Sequence, residues 1–166
     1  MENLTLKKLK ENLAGSISDV TEYRGQLSIL IKKEDLLLVC KFLKDEPELR
    51  YDFLSDVCGV DYPENEKRFE VIYNLYSLPF RWRIRLKVRV AEGESVNSVT
   101  PIWKAANWLE REVYDMFGVK FDNHPDLQRI LMPDDWVGHP LRKDYPLYFE
   151  EVAFSHNKDK PPRIIK

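Results

Sequence analysis

"RFEVIYNLYSLPFRWRIRLKVRV", residues 68–90, alternates apolar and polar side chains on both sides of a proline-containing break, and its reading decides the fold. A period of two sends successive side chains to opposite faces of a strand. A four-residue loop from Ser77 to Phe80, with Pro79 inside it, predicts an antiparallel hairpin with Tyr76 opposite Arg81 and Arg68 opposite Arg89. Phe69, Val71, Tyr73 and Leu75 then share a core layer with Trp82, Ile84, Leu86 and Val88. The other face carries Arg81, Arg83, Arg85, Lys87 and Arg89, with Glu70, opposite Lys87, as its countercharge. Two readings fit that basic face. Either it is solvated and its charges discourage edge pairing, or its cations meet acids from a helix of the same chain or from another protein.

On the N-terminal side, Leu4, Leu6, Leu9 and Leu13 have roughly helical spacing, and Gly15 is a plausible stop. "SDVTEYRGQLSILIKK" alternates around Arg24-Gly25 and predicts a second hairpin, with Val20, Leu27, Ile29 and Ile31 facing inward. "KEDLLLVCKFLKDEPE" predicts a helix with Leu36, Leu37, Val39, Cys40 and Leu43 on one face, ending at Pro47. "YDFLSDVCGVDYP" is a further strand.

On the C-terminal side, "TPIWKAANWLEREVYDMFG" predicts a helix from Thr100 as N-cap, with Pro101 in its first turn and Gly118 as its stop. It carries two apolar stripes, one through Ile102, Ala106, Leu109, Val113 and Met116, the other through Trp103, Asn107, Glu110, Tyr114 and Phe117. A surface helix needs one buried stripe. Two imply a helix sandwiched between its own sheet and a second layer, either the C-terminal segment or a partner. Glu110 and Glu112 are not on one face as a catalytic pair would be, and Arg111 can pair with Asp115 at i,i+4.

Six of the ten prolines follow Gly118, too closely spaced for stable helices. Yet Phe121, Leu127, Ile130, Leu131, Met132, Trp136, Leu141, Tyr145, Leu147, Tyr148 and Phe149 need burial. The expectation is an α+β domain over 1–118, with about five strands in a mixed sheet packed by two to three helices. An extended C-terminal arm over 119–166 lies partly on that domain and partly on another protein.

Chemistry is sparse in the sequence. With 26 basic and 28 acidic residues among 166, no global charge draws the chain to nucleic acid. The longest apolar stretch, Leu36 to Cys40, is far short of the roughly 20 residues that cross a bilayer, and the N-terminus lacks a signal-peptide core, so a cytoplasmic location is expected. Cys40 and Cys58 stand apart and read as two buried thiols. The glycines form no phosphate-cradling loop. His124, Asp126, His139 and Asp144 could converge on a metal or serve as acid and base, but each histidine precedes a proline and suits a hydrogen-bonded turn equally well. Arg142, Lys143 and Asp144 read as ion pairing that anchors the arm. A nucleic-acid module using Arg81, Arg83, Arg85 and Tyr76 is the remaining alternative, though the ribonucleoprotein motif is missing.

The stretch "ANWLEREVYDMFGVKFDNHPDLQRILMPDDWVGHPLRKDYPL", with "EREVYDMFG", "HPDLQRIL" and "GHPLRKDYP" in order, resembles the C subunit of proton-translocating NADH-quinone oxidoreductase, respiratory complex I. The similarity extends more loosely through "FEVIYNLYSL" and "SVTPIW". It implies a hydrophilic peripheral-arm subunit, on the cytoplasmic face of the inner membrane, that binds no FMN, Fe-S cluster or quinone itself. Its implied partners are the large quinone-cavity subunit of the D type and small cluster-bearing subunits of the B and I types, which with other chains hold those cofactors. No catalytic residues carry over. The implied structural anchors are Glu110, Arg111, Glu112, Asp115, His124, Pro125, Arg129, His139, Pro140, Arg142, Lys143 and Asp144. Similar subunits serve related complexes fed by ferredoxin, deazaflavin, hydrogen or formate, and the sequence of this one does not read the donor.

Overall fold

The computed structural model describes residues 4–146. Helix α1 (Leu4–Leu13) leads into a hairpin of β1 (Ile17–Tyr23) and β2 (Gln26–Ile31), then α2 (Leu36–Asp45). Three strands follow, β3 (Phe53–Asp61), β4 (Phe69–Ser77) and β5 (Trp82–Val90), then short β6 (Ser95–Asn97), α3 (Ala106–Phe117) and short β7 (Lys120–Asp122). Arg24 and Gly25 both take positive φ, the geometry a two-residue hairpin turn demands.

The main sheet has the order β1-β2-β5-β4-β3. Helix α2 carries the chain from β2 to the far edge, and the meander β3-β4-β5 returns to lay β5 parallel to β2, the one parallel contact in an otherwise antiparallel sheet. The class is therefore α+β, as expected, with a mixed five-stranded sheet and three helices. Ile29, Val71, Tyr73, Leu86 and Val88 are fully buried on the face covered by helices, where they join Leu9 of α1, Val39 and Leu43 of α2, and Ala106 and Val113 of α3. Truncating Leu86 to Ala would cost about 2–5 kcal/mol, the usual range for a side chain with no room to collapse around the loss.

The central hairpin keeps the expected faces but not the expected register. Glu70 lies opposite Arg89 and Tyr76 opposite Arg83, a slip of two residues from the loop-based reading. A slip of two preserves every side chain's face, so the core layer survives it. The physical reason is the turn: Arg81 takes φ 57 and its N–H donates to Ser77 O at 2.8 Å, placing Leu78 to Arg81 in the loop. Arg81 is thus an exposed turn residue and not the first rung of the basic ladder.

The third helix also starts later than its sequence signals indicate. Thr100 does not cap it; residues 100–105 form turns in which the Ile102 and Trp103 N–H groups both reach Val99 O, and regular helix begins at Ala106. These turns bury Trp103, whose indole N–H donates to Tyr51 O at 3.2 Å. Gly118 ends the helix in left-handed geometry at φ 77, its N–H reaching Tyr114 O. The parallel pairing of β6 with β7 was not foreseen, three-residue strands being too short to show a period. Of the thiols, Cys40 is buried, whereas Cys58 is half-buried on the sheet face away from the helices. Leu147, Tyr148, Phe149 and the tail that follows lie outside the described residues.

Candidate functional site

Residues 124–145 form a strap laid across α3, and polar groups fix it at both ends of that helix. The last carbonyls of an α-helix have no partner within it. Here the strap supplies three: His139 Nδ1 donates to Asp115 O at 2.9 Å, the Leu141 N–H to Met116 O at 3.1 Å, and Arg142 Nε to Phe117 O at 2.6 Å. A cation at this end also suits the helix dipole. Burial pushes the His139 pKa down, so the ring is neutral and can hold its proton on Nδ1. A Cβ on Gly118 would lie 2.5 Å from both Arg142 Nη2 and His139 Nε2. That position needs glycine for its φ and for this close approach.

Asp115 is the hub of the strap. Its Oδ2 accepts the backbone N–H groups of Ile130, Leu131 and Met132 at 3.1, 2.8 and 2.9 Å, while Oδ1 accepts from Arg129 at 2.8 Å. Burial alone would raise its pKa, but these donors outweigh burial and hold the carboxyl below its ordinary value. Arg111 therefore pairs elsewhere than with Asp115, contrary to the i,i+4 expectation. Its guanidinium donates to Gln128 O and Arg129 O at 3.0 and 3.1 Å, since Asp115 is saturated from the strap side.

The first half of α3 holds a second buried carboxyl. Glu110 accepts Ser98 Oγ–H at 2.6 Å and the Val99 N–H at 2.8 Å, and burial pushes its pKa up to about 7. His124 Nε2 stands 4.0 Å from Glu110 and donates to Asn107 O at 3.0 Å, while its Nδ1 accepts the Asp126 N–H. Both histidines are thus engaged with backbone, and they sit on different turns of α3. Among the described residues no group of three His, Cys, Asp or Glu side chains could hold a metal ion.

The strap's far end is clamped to the sheet. Arg68 binds both oxygens of Asp61 at 2.7 and 2.8 Å and both oxygens of Asp144 at 3.0 and 2.7 Å. Hydrogen bonds from Arg68 lower the pKa of each carboxyl, and Asp61 and Asp144 in turn raise that of Arg68. Asp61 also accepts the Lys143 N–H, Arg142 pairs with Glu92 at 2.8 Å, and the Arg68 and Arg142 guanidiniums lie 5.1 and 5.0 Å from the Phe69 ring centre. Asp61, Arg68 and Glu92 were missed from sequence because their partners on the strap, Lys143, Asp144 and Arg142, lie 50 or more residues away. Lys143 contributes its backbone and a contact of its ammonium with the Tyr62 ring. Glu112 is exposed and makes no ion pair among the described residues.

On the other side of the molecule, Arg83, Arg85, Lys87 and Arg89 line the sheet face that no described helix covers. Lys87 and Arg89 share Glu70 at 3.0 and 3.3 Å. Arg83 and Arg85 lie at the opposite end of the strand. Exposed apolar side chains lie on the strap and its helix as well: Trp108, Leu131, Val137 and Leu141 are between 54 and 85% exposed.

Residues 29–151 match the family model described as respiratory-chain NADH dehydrogenase, 30 Kd subunit. The chain belongs to this family. It is 54% identical over 146 residues to the C subunit of NADH-quinone oxidoreductase from Geotalea uraniireducens, covering 87% of this chain and 88% of the relative. It is 52% identical over 162 residues to the same kind of subunit from a Roseiflexus species, covering 96 and 93%. Among solved structures, the trypsin-resistant fragment of Nqo5 aligns with a TM-score of 0.65 at 33% identity, over 74% of this chain and 99% of the fragment. A chain of the membrane-bound sulfane sulfur reductase, an archaeal respiratory membrane complex, shares the fold at TM-score 0.72 and 22% identity, over 94 and 96%.

Proposed function

We propose that the chain is a non-catalytic structural and assembly subunit of the peripheral arm of a proton-translocating NADH:quinone oxidoreductase. In that complex electrons pass from NADH through FMN and Fe-S clusters to quinone, all held by other chains, and this chain contributes shape and docking surface. One observation carries the reading: Asp115, Arg129, His139, Arg142 and Asp144 are spent on hydrogen bonds within the chain, while Leu131, Val137 and Leu141 of the strap stay exposed. Exposed apolar clusters rimmed by charge are what interaction surfaces present. The strap side faces the large quinone-cavity subunit and the small cluster-bearing subunits, on the cytoplasmic face of the membrane. No described helix is long and apolar enough to cross a bilayer, which supports attachment through the complex. The identities above 50% to NADH-quinone oxidoreductase subunits favour NADH over another electron donor.

Gentle detergent extraction tests this. The chain should co-purify with a flavin- and NADH-binding subunit, and Arg142→Ala should lower the amount of assembled complex while turnover per assembled complex is unchanged. Full assembly with lost turnover would overturn the structural role.

A further inference from the structure

The sheet face that no described helix covers is uneven in how its cations are met. Lys87 and Arg89 have Glu70, whereas Arg83 and Arg85 form no ion pair among the described residues. Arg85 finds only two amide oxygens, Asn74 Oδ1 at 3.3 Å and Gln26 Oε1 at 3.2 Å, and Arg83 lies with its guanidinium carbon 5.5 Å from the centre of the Tyr76 ring. An arginine offers five N–H donors, so most of those on this pair are unmet by the described residues. The two guanidiniums border a groove of about 630 Å³ at one end of the sheet. Its opposite lip is apolar, formed by Phe53 and Leu78, 48 and 58% exposed.

We propose that this groove seats an extended, carboxylate-bearing segment of a neighbouring subunit, with one Asp or Glu side chain between Arg83 and Arg85 and an apolar side chain against Phe53 and Leu78. The inference rests on the reading of the chain as a subunit of an assembly. A carboxylate supplies acceptor oxygens in the planar geometry a guanidinium fork matches, and it relieves the repulsion between neighbouring cations on one strand. Nucleic acid fits less well, because Asp56 lines the same groove and the chain's net charge of -2 gives a polyanion no long-range attraction.

The test uses the complex extracted in gentle detergent. Arg85→Lys keeps the charge and adds a primary amine, which a water-soluble carbodiimide joins to a touching carboxylate as an amide, the carbodiimide taking up the water as a urea. Mass spectrometry should find position 85 linked to an Asp or Glu of another subunit, a link absent from the wild type. An intact complex with no link, or with links only to Asp56, to another residue of this chain or to a second copy of it, overturns the inference and leaves the subunit reading standing. A chain that co-purifies with no other subunit overturns that reading itself. In parallel, Arg83→Glu with Arg85→Glu should lower the fraction retained after a salt wash about tenfold, as reversal of a docked charge pair does. Arg83→Lys with Arg85→Lys should retain it. Equal retention of the two variants, or release of the wild-type chain by nuclease, also overturns the proposal.

Discussion

Arg129 and Asp115 meet where the strap crosses the third helix: Arg129 Nη1 stands 2.8 Å from an oxygen of a carboxylate with no exposed surface. Because Asp115 also holds three successive backbone N–H groups, its loss strands four donors at once. Asp115→Ala should destabilise the chain by about 3–5 kcal/mol, the cost of leaving a buried charge and its neighbours unpaired. Arg129→Ala should cost less, since the three backbone donors still hold the carboxylate. Urea midpoints with an unchanged denaturant slope would show both effects as stability differences.

The folded-state carboxyl of Asp115 titrates below its ordinary range, so its contribution is present above about pH 4 and is lost as pH falls through the folded value. Wild type and Asp115→Asn should therefore converge in stability on acidification below about pH 4. A constant gap down to pH 2 would contradict the assignment.

Gly118 joins the helix to the strap at a point that has neither the φ nor the space for a side chain. Gly118→Ala should cost about 1–2 kcal/mol for the left-handed conformation alone. The Cβ must also displace His139 and Arg142. Limited proteolysis should then cut within 124–145 faster than in wild type, while the sheet core stays protected.

The two-layer fold was legible because its signals are local. Alternation in residues 68–90 and 17–31, and the apolar face of residues 36–43, each report burial within one element. A register slip of two is invisible to such a pattern, since it changes no side chain's face, and only the conformation of Arg81 discloses it. The helix cap at Thr100 misled for a related reason: a Thr-Pro pair fits a helix start, but the burial of Trp103 against Tyr51, more than 50 residues away, decides the local path. The double stripe on the third helix implied a second covering layer, whereas the strap is held chiefly by Arg111 and Asp115, which lie on neither stripe. The partners of its charges were beyond reach, because Asp115 was assigned to the nearest cation, Arg111, whereas folding brings Arg129.

Arg68 grips Asp61 and Asp144 with both edges of its guanidinium, tying the fourth strand to the strap across 76 residues of sequence. Lysine keeps the charge but not the fork. Arg68→Lys should lose about 1–3 kcal/mol, the range for charge-assisted hydrogen bonds. Arg68→Lys and Arg68→Ala should resemble each other more than either resembles wild type. If lysine restores full thermal stability, the bond count is not what matters there.

Glu110 gives a pH dependence of opposite sign to that of Asp115. Burial raises its folded pKa to about 7, from an ordinary value near 4.5, and its two hydrogen bonds only partly offset that. An acid whose folded pKa is raised is stabilised while protonated, so the benefit is complete below about pH 4.5 and is lost as pH rises through about 7. The neighbouring groups do not reverse this: Cys40 and Tyr73, whose own pKa values burial raises, stay neutral, and His124 lies 4.0 Å away with its backbone partners already made. Glu110→Gln mimics the neutral acid, keeping an acceptor for the Val99 N–H and a group for the Ser98 hydroxyl to meet. At pH 8.5 it should therefore exceed the wild type in stability by about 3 kcal/mol, from roughly 1.4 kcal/mol for each pH unit between the two pKa values. Near pH 4, below both pKa values, the two should be equal within error. Chemical unfolding of both proteins across that window measures the difference directly, and a gap independent of pH would show that Glu110 stays ionised inside the fold.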